Sequence, residues 1–218
     1  LFMAVNFLLG LGVGVYGTLV GAGGGFLLVP MFLLWHGLPH SSAVGTSLAI
    51  VAANAVSGTA GYLRERRIDF RAGLVFAVFT FPGAVLGGFL TARLPGHLFD
   101  RVFGFLLCAA SLYLLLRKPL LERPAVLGRR GWGWCERRLV TRSGAVEHYE
   151  YFEPLGALSS VLVGLISSLF GIGGGIIHVP LMTEVLRFPV HVAVATSHFV
   201  LGFTAMAGAF VHFQQGHV

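Results

Sequence analysis

The sequence predicts an all-α integral membrane protein, a polytopic helical bundle of two inverted repeats with glycine-broken, re-entrant helices and a small polar insert. The first observation is composition: 56% of the 218 residues are hydrophobic and only 11% charged, with mean hydropathy +0.82. A soluble domain of this length has too little interior for so much apolar surface. Second, uncharged runs occupy residues 1–38, 41–63, 72–92, 102–116, 154–183 and 188–216. All but the short run at 102–116 approach or exceed the roughly 20 residues of a spanning helix. Third, "GAGGGFLLVP" at residues 21–30 returns as "GIGGGIIHVP" at residues 171–180.

The first run has no basic n-region and stays apolar well past signal-peptide length, so it reads as a membrane segment rather than a leader. A helix interior loses roughly 1 kcal/mol per Gly and more for Pro. The glycines at 21–25 therefore break this segment, and a helix resumes at about Phe26. "AVGTS" at 43–47 opens the next helix and meets "AVATS" at 193–197; Pro30 and Pro180, Pro39 and Pro189, and Gly58 and Gly208 share the same ungapped offset. This is an internal duplication.

The charges give its sense. "RERRIDFR" at 64–71 carries four arginines, whereas the equivalent "QQGHV" at 214–218 carries none. Short basic loops stay in the cytoplasm, so equivalent points lie on opposite faces and the repeats are inverted. Residues 72–92 then run outward, the "RLPGH" turn at 93–97 lies outside, and a helix from about Leu98 to Leu116 returns to the basic stretch at 117–142. The topology closes if each glycine-broken segment is a re-entrant hairpin.

Three regions follow: a first transmembrane repeat at 1–117, a cytoplasmic insert at 118–153 and a second repeat at 154–218. The insert has seven basic and five acidic residues and alternates loosely around Ser143-Gly144, which reads as a small β-hairpin. Anionic lipid headgroups are a partner that suits it. Nothing after Val218 corresponds to residues 69–116, so the second repeat reads as about two helices short. Cys108, mid-helix, and Cys135, in the insert, suggest neither a disulfide nor a metal framework. The net charge of +6 marks cytoplasmic loops and does not imply nucleic acid.

At the paired stretches "GAGGGFLLVP" with "AVGTSLAIVAANAVSG" and "GIGGGIIHVP" with "AVATSHFVLGFTAMAG", the chain resembles the sulfite exporter TauE/SafE family, also called the toluene sulfonate uptake permease family. The resemblance implies a multi-pass transporter of the bacterial inner membrane. It implies small sulfur-containing anions as cargo: sulfite, thiosulfate, or organosulfonates such as sulfoacetate. Proton-linked export is the mode expected, no cofactor is needed, and a homodimer is admissible.

The residues suit that chemistry. Irregular backbone at membrane depth survives only where protein buries it or where it lines a wet cavity. Helices restarting after Gly23, Gly24 and Gly25 and after Gly173, Gly174 and Gly175 turn unpaired N–H groups and a positive dipole end toward the break. Two such ends form a midplane anion site; the alternative is that these glycines serve close packing alone. Thr46, Ser47, Thr196 and Ser197 supply hydroxyl donors without fixed charge, or bond back to their own helix. Asn54 lines the path or bonds a neighbouring helix. His178 and His198 stand where the first copy has Leu28 and Leu48; such intramembrane groups carry protons or contact substrate, or are hydrogen-bonded core residues. Rival classes are an anion channel and a membrane metalloenzyme using His178, His198 and His212, whose spacing matches no metal-ligand motif.

Single-cysteine labelling in a Cys-free background tests the topology. Sites 66 and 150 are expected to label from the cytoplasmic face and site 214 from the opposite one; equal labelling of 66 and 214 from one side removes the inverted arrangement.

Overall fold

A computed structural model describes residues 2–116 and 131–217; residue 117 and the part of the insert at 118–130 lie outside the described residues. The elements are α1 (Phe2–Val20), α2 (Gly25–Leu34), α3 (His40–Glu65), α4 (Phe70–Thr91), α5 (Gly96–Leu116), β1 (Trp134–Val140), β2 (Val146–Phe152), α6 (Glu153–Phe170), α7 (Gly175–Pro180), a π-helical turn (Leu181–Val185) and α8 (Val190–Gln214). Among the described residues, α4, α6, α8 and most of α3 are long and apolar enough to cross a membrane. Large apolar side chains such as Leu34, Phe105 and Leu115 point outward, as expected where the solvent is lipid. The chain is a helical membrane protein with one small sheet.

The restarts come one residue earlier than the sequence suggests, at Gly25 and Gly175. Gly24 and Gly174 cap the helices at φ 87° and 72°, a left-handed conformation open to glycine without a Cβ penalty. α5 likewise begins at Gly96 rather than Leu98, because the Pro95 carbonyl accepts the N–H groups of Leu98 and Phe99.

α3 and α8 occupy equivalent places in the two copies and cross antiparallel: Gly58 lies against His198, and Gly208 against Leu48. α4 runs alongside α6 in the same direction, with Phe76 at Gly156 and Gly87 at Leu165. One end of the bundle gathers the start of α3, the α4–α5 turn and the end of α6. There the Thr91 hydroxyl donates to the Leu169 carbonyl (2.9 Å), and Phe99 packs on His40 and Phe170. The other end gathers the end of α3, the starts of α4 and α6, and the hairpin. Phe188 returns to this same end, against Phe76, Tyr149 and Tyr151. Phe188, beyond the second break, and the start of α6 thus lie at one end of the bundle.

β1 and β2 pair antiparallel from Trp134↔Phe152 to Val140↔Val146, around the turn expected at Ser143-Gly144. The Thr141 N–H donates to the Ala145 carbonyl (2.9 Å), and Gly144 takes φ 85°.

The two breaks meet backbone to backbone. A Cβ on Gly25 would strike the Gly171 carbonyl oxygen, and one on Gly175 would strike that of Gly21. The contacts are reciprocal under the repeat offset. Val51 and Leu201, themselves equivalent, both cover Gly23 and Gly173. Gly25→Ala or Gly175→Ala therefore forces backbone apart and is expected to lose about 1–3 kcal/mol, the usual cost of overpacking. Gly104, with no heavy atom in reach of an added Cβ, provides the control. Thermal melts of the three alanine variants in detergent should show lower midpoints for the first two alone.

Candidate functional site

The site is built where the breaks touch. Gly21, Gly23 and Gly24 and their equivalents Gly171, Gly173 and Gly174 all have positive φ, which lifts the chain out of α1 and α6 and starts α2 and α7 in a new direction. At the helix starts the Gly24 carbonyl accepts from Leu27 and Leu28, the Gly174 carbonyl from Ile177 and His178, and the Gly173 carbonyl from Gly175, which leaves the N–H groups of Gly25, Phe26 and Ile176 without an acceptor in their helices. Ala22 and Ile172, between the glycines, are fully buried. The Ser47 hydroxyl donates to the Gly171 carbonyl (2.9 Å) and fastens α3 to the opposite break. Its counterpart Ser197 is buried with its hydroxyl unpartnered. One turn earlier on α8, Val194 lies on Gly21.

Asn54 fixes the first break. Its Nδ2 donates to the carbonyls of Gly14 and Gly23, both at 3.3 Å. Its Oδ1 accepts from the Thr18 hydroxyl (3.1 Å), which also reaches the Gly14 carbonyl (2.9 Å). The amide ties α3, α1 and the break into one unit.

The two Thr-Ser pairs do not converge. Since 48 faces 208 and 58 faces 198, Thr46 and Thr196 lie on opposite sides of the crossing, roughly 20 Å apart at 1.5 Å per residue. Thr196 Oγ1 accepts the Asp69 N–H (3.0 Å), at the end of the bundle that holds the hairpin. Thr46 is half-buried.

The histidines also separate. His178 Nε2 is 3.4 Å from the Ser160 hydroxyl, and its ring packs edge-on to Phe76. His198 is fully buried, and neither ring nitrogen forms a well-aligned hydrogen bond, although the Asn54 backbone lies beside the ring. It stands edge-on to Tyr62, whose hydroxyl donates to the Thr18 carbonyl (2.7 Å). Both nitrogens of His212 and the hydroxyls of Ser167 and Ser168 are buried and unpartnered as well. Among the described residues, no three His, Cys, Asp or Glu side chains come together as a metal site.

One cluster was invisible in the sequence. Asp69, the N-cap of α4, accepts from the N–H groups of Arg71 and Ala72. It takes a bidentate pair from Arg137 on β1, Nε to Oδ2 at 3.0 Å and Nη2 to Oδ1 at 2.9 Å, and the Tyr149 hydroxyl of β2 at 2.6 Å. Its side chain is fully buried. Burial pushes the carboxyl up, but the bonds from Arg137, Tyr149 and Ala72 outweigh it and hold the group below the usual carboxylate range. Burial and the neighbouring Asp69 charge push Tyr149 far up, so it remains a donor. Only an Asp-Phe-Arg triplet announces the N-cap locally, and nothing in β1 or β2 marks its partners.

With this geometry in place, comparison with known proteins is decisive. Residues 6–218 match the family described as Sulfite exporter TauE/SafE. The chain belongs to the TauE/SafE family. It is 34% identical over 217 residues to probable membrane transporter protein YunE of Bacillus subtilis, covering 96% of this chain and 78% of YunE. Probable membrane transporter protein YdhB of the same organism is 29% identical over 100% of this chain and 80% of its own length. MJ0441 of Methanocaldococcus jannaschii, also named a probable membrane transporter protein, is 27% identical over 95% and 71%. No solved structure matches. This TauE/SafE member is a multi-pass membrane transporter and not an enzyme.

Docking of the hairpin depends on the Asp69 carboxylate. Because the folded carboxyl is held low, its contribution is fully present above the unfolded carboxylate range near pH 4 and fades as pH falls through the folded value. Arg137→Gln removes two charge-assisted bonds, a loss of about 1.5–3 kcal/mol. Melts of wild type from pH 3 to 7 should be flat above pH 5 and fall below 4, and those of Arg137→Gln lower and less pH-dependent.

Proposed function

We propose that this protein is a secondary transporter of small sulfur-containing oxyanions such as sulfite, thiosulfate or an organosulfonate. Export across the bacterial inner membrane, coupled to protons, is the reading the family favours. The observation that carries it is the meeting of two glycine-broken segments inside an apolar bundle, with Ser47 on the second break and the unpartnered Ser197 on the other side of the helix crossing. The starts of α2 and α7 offer N–H groups and positive dipole ends for an anion. Neutral hydroxyls add donors without a fixed charge, which suits a carrier that must release its cargo.

The inverted, re-entrant arrangement is part of this proposal. It is supported by the antiparallel crossing of equivalent helices α3 and α8 and by the return of Phe188 to the end from which α6 departs. In the present conformation the breaks are in backbone contact, so binding an anion between them requires them to part. That movement is the alternating step of a carrier built from repeats.

His198 is the better candidate for the coupled proton, because neither of its buried nitrogens is held by a well-aligned hydrogen bond, whereas His178 has Ser160. Ser197 has no partner and is free for substrate, Ser47 donates to a carbonyl, and Thr196 accepts the Asp69 N–H.

Ser197→Ala separates substrate contact from packing. It removes an unpartnered hydroxyl, so thermal stability should hold or rise, while sulfite or sulfoacetate binding weakens roughly ten- to a hundredfold, the equivalent of a lost bond to a charged group. Ser47→Ala should lower stability as well. His198→Gln should keep binding and flatten the dependence of proteoliposome flux on a pH gradient. Unchanged affinity in Ser197→Ala, or flux without counterflow, would overturn the carrier site.

A further inference from the structure

Where α3 ends and α4 begins, the hairpin roofs a cavity of about 330 Å³. β1 lies across it, and the Arg142 N–H donates to the Glu65 carbonyl (3.0 Å), fastening the hairpin turn to the end of α3. Arg66, Arg137 and Arg138 line the cavity together with one carboxylate, Asp69. The carboxylate is spoken for: its two oxygens already accept from Arg137, Tyr149 and two backbone N–H groups.

The arginines are not. A guanidinium has five N–H donors, and Arg137 gives two of them to Asp69. Its side chain keeps 31% of its surface open. Arg66 and Arg138 form no ion pair among the described residues. Three arginines thus border one cavity along the outer edge of β1: Arg137 from the face that meets Asp69, Arg138 from the opposite, exposed face, and Arg66 from the end of α3. The rim is the opposite in character. Leu63 and Phe70, on the ends of two helices long and apolar enough to cross a membrane, and Val140 on β1 are 44%, 49% and 48% exposed.

We propose that this cavity binds an oxyanion of the phosphate class, with the arginines on the headgroup and the apolar rim against attached acyl chains. A basic pocket between helix ends, opening beside exposed apolar side chains, has the chemistry of an anionic lipid site. A free phosphate would use the same arginines and leave the rim unused. The site is separate from the glycine breaks, and it stands whether or not the transport cargo is a sulfur anion.

The test is native mass spectrometry and thermal melting of the purified full chain with phosphatidylglycerol, phosphatidylcholine or inorganic phosphate. Phosphatidylglycerol should bind and stabilise in preference to phosphatidylcholine. The double variant Arg66→Gln/Arg138→Gln should bind it about 30-fold more weakly, at roughly fivefold per arginine, with its lipid-free melting point unchanged. Arg138→Gln alone, on an exposed strand position, is expected to give about fivefold and guards against misfolding of the double variant. If inorganic phosphate protects as well as the lipid does, and the protection is lost in the variants, the oxyanion site stands with a soluble ion as its source. Equal binding of the two lipids by wild type without phosphate protection, or undiminished selectivity in both variants, overturns the proposal.

Discussion

The architecture depends on a contact that only glycine permits: the backbone of each broken segment pressed against the carbonyl of the other, Gly25 on Gly171 and Gly175 on Gly21. A Cβ at either position would hold the two breaks apart. Close approach brings the starts of α2 and α7 to one place, lets Ser47 reach across to the opposite break, and sets α3 against α8. In a bilayer, where apolar side chains gain little by leaving lipid, association rests on such close packing and on hydrogen bonds between helices. The glycines are therefore at once the weak points of individual helices and the strong points of the bundle.

The two copies share the glycine breaks and differ around them: α2 stays α-helical over Gly25–Leu34, whereas α7 gives way to a π-helical turn at Leu181. Asn54 stitches the first break to α1, where the second copy has Thr204, whose hydroxyl turns back to its own helix at Val200. Tyr62 donates to the Thr18 carbonyl, while its counterpart His212 has both nitrogens unpartnered. Leu48 in one copy is His198 in the other. Buried polar groups without partners are rare in folded proteins, and each calls for a water, an ion or a functional role. Here they fall mainly on α8 and at the end of α6.

The hairpin is more than an appendage. Through Asp69 it is bonded at once to α4 and, by the Asp69 N–H, to Thr196 on α8, while Tyr149 and Tyr151 pack on Phe188 at the exit of the second broken segment. Thr196, which the sequence offered as a substrate donor, is in this conformation a structural acceptor at the bundle's end.

Composition, periodicity and duplication made the class readable without coordinates. Long uncharged runs mark membrane helices, and a motif repeated at one offset marks two copies. The Ser143-Gly144 turn with its alternating flanks marked the hairpin, because strand pairing across a tight turn is local. The glycine clusters announced breaks because glycine and proline act on their own residue's backbone. What tertiary structure alone decided are the pairings between segments far apart in the chain. Ser47 finds Gly171, Thr196 finds Asp69, and Arg137 finds Asp69 through contacts 124, 127 and 68 residues apart, which no local pattern encodes. Which hydroxyl is engaged and which histidine is left unpartnered depend on how the helices cross, and a crossing is fixed by the fit of two surfaces rather than by either sequence segment.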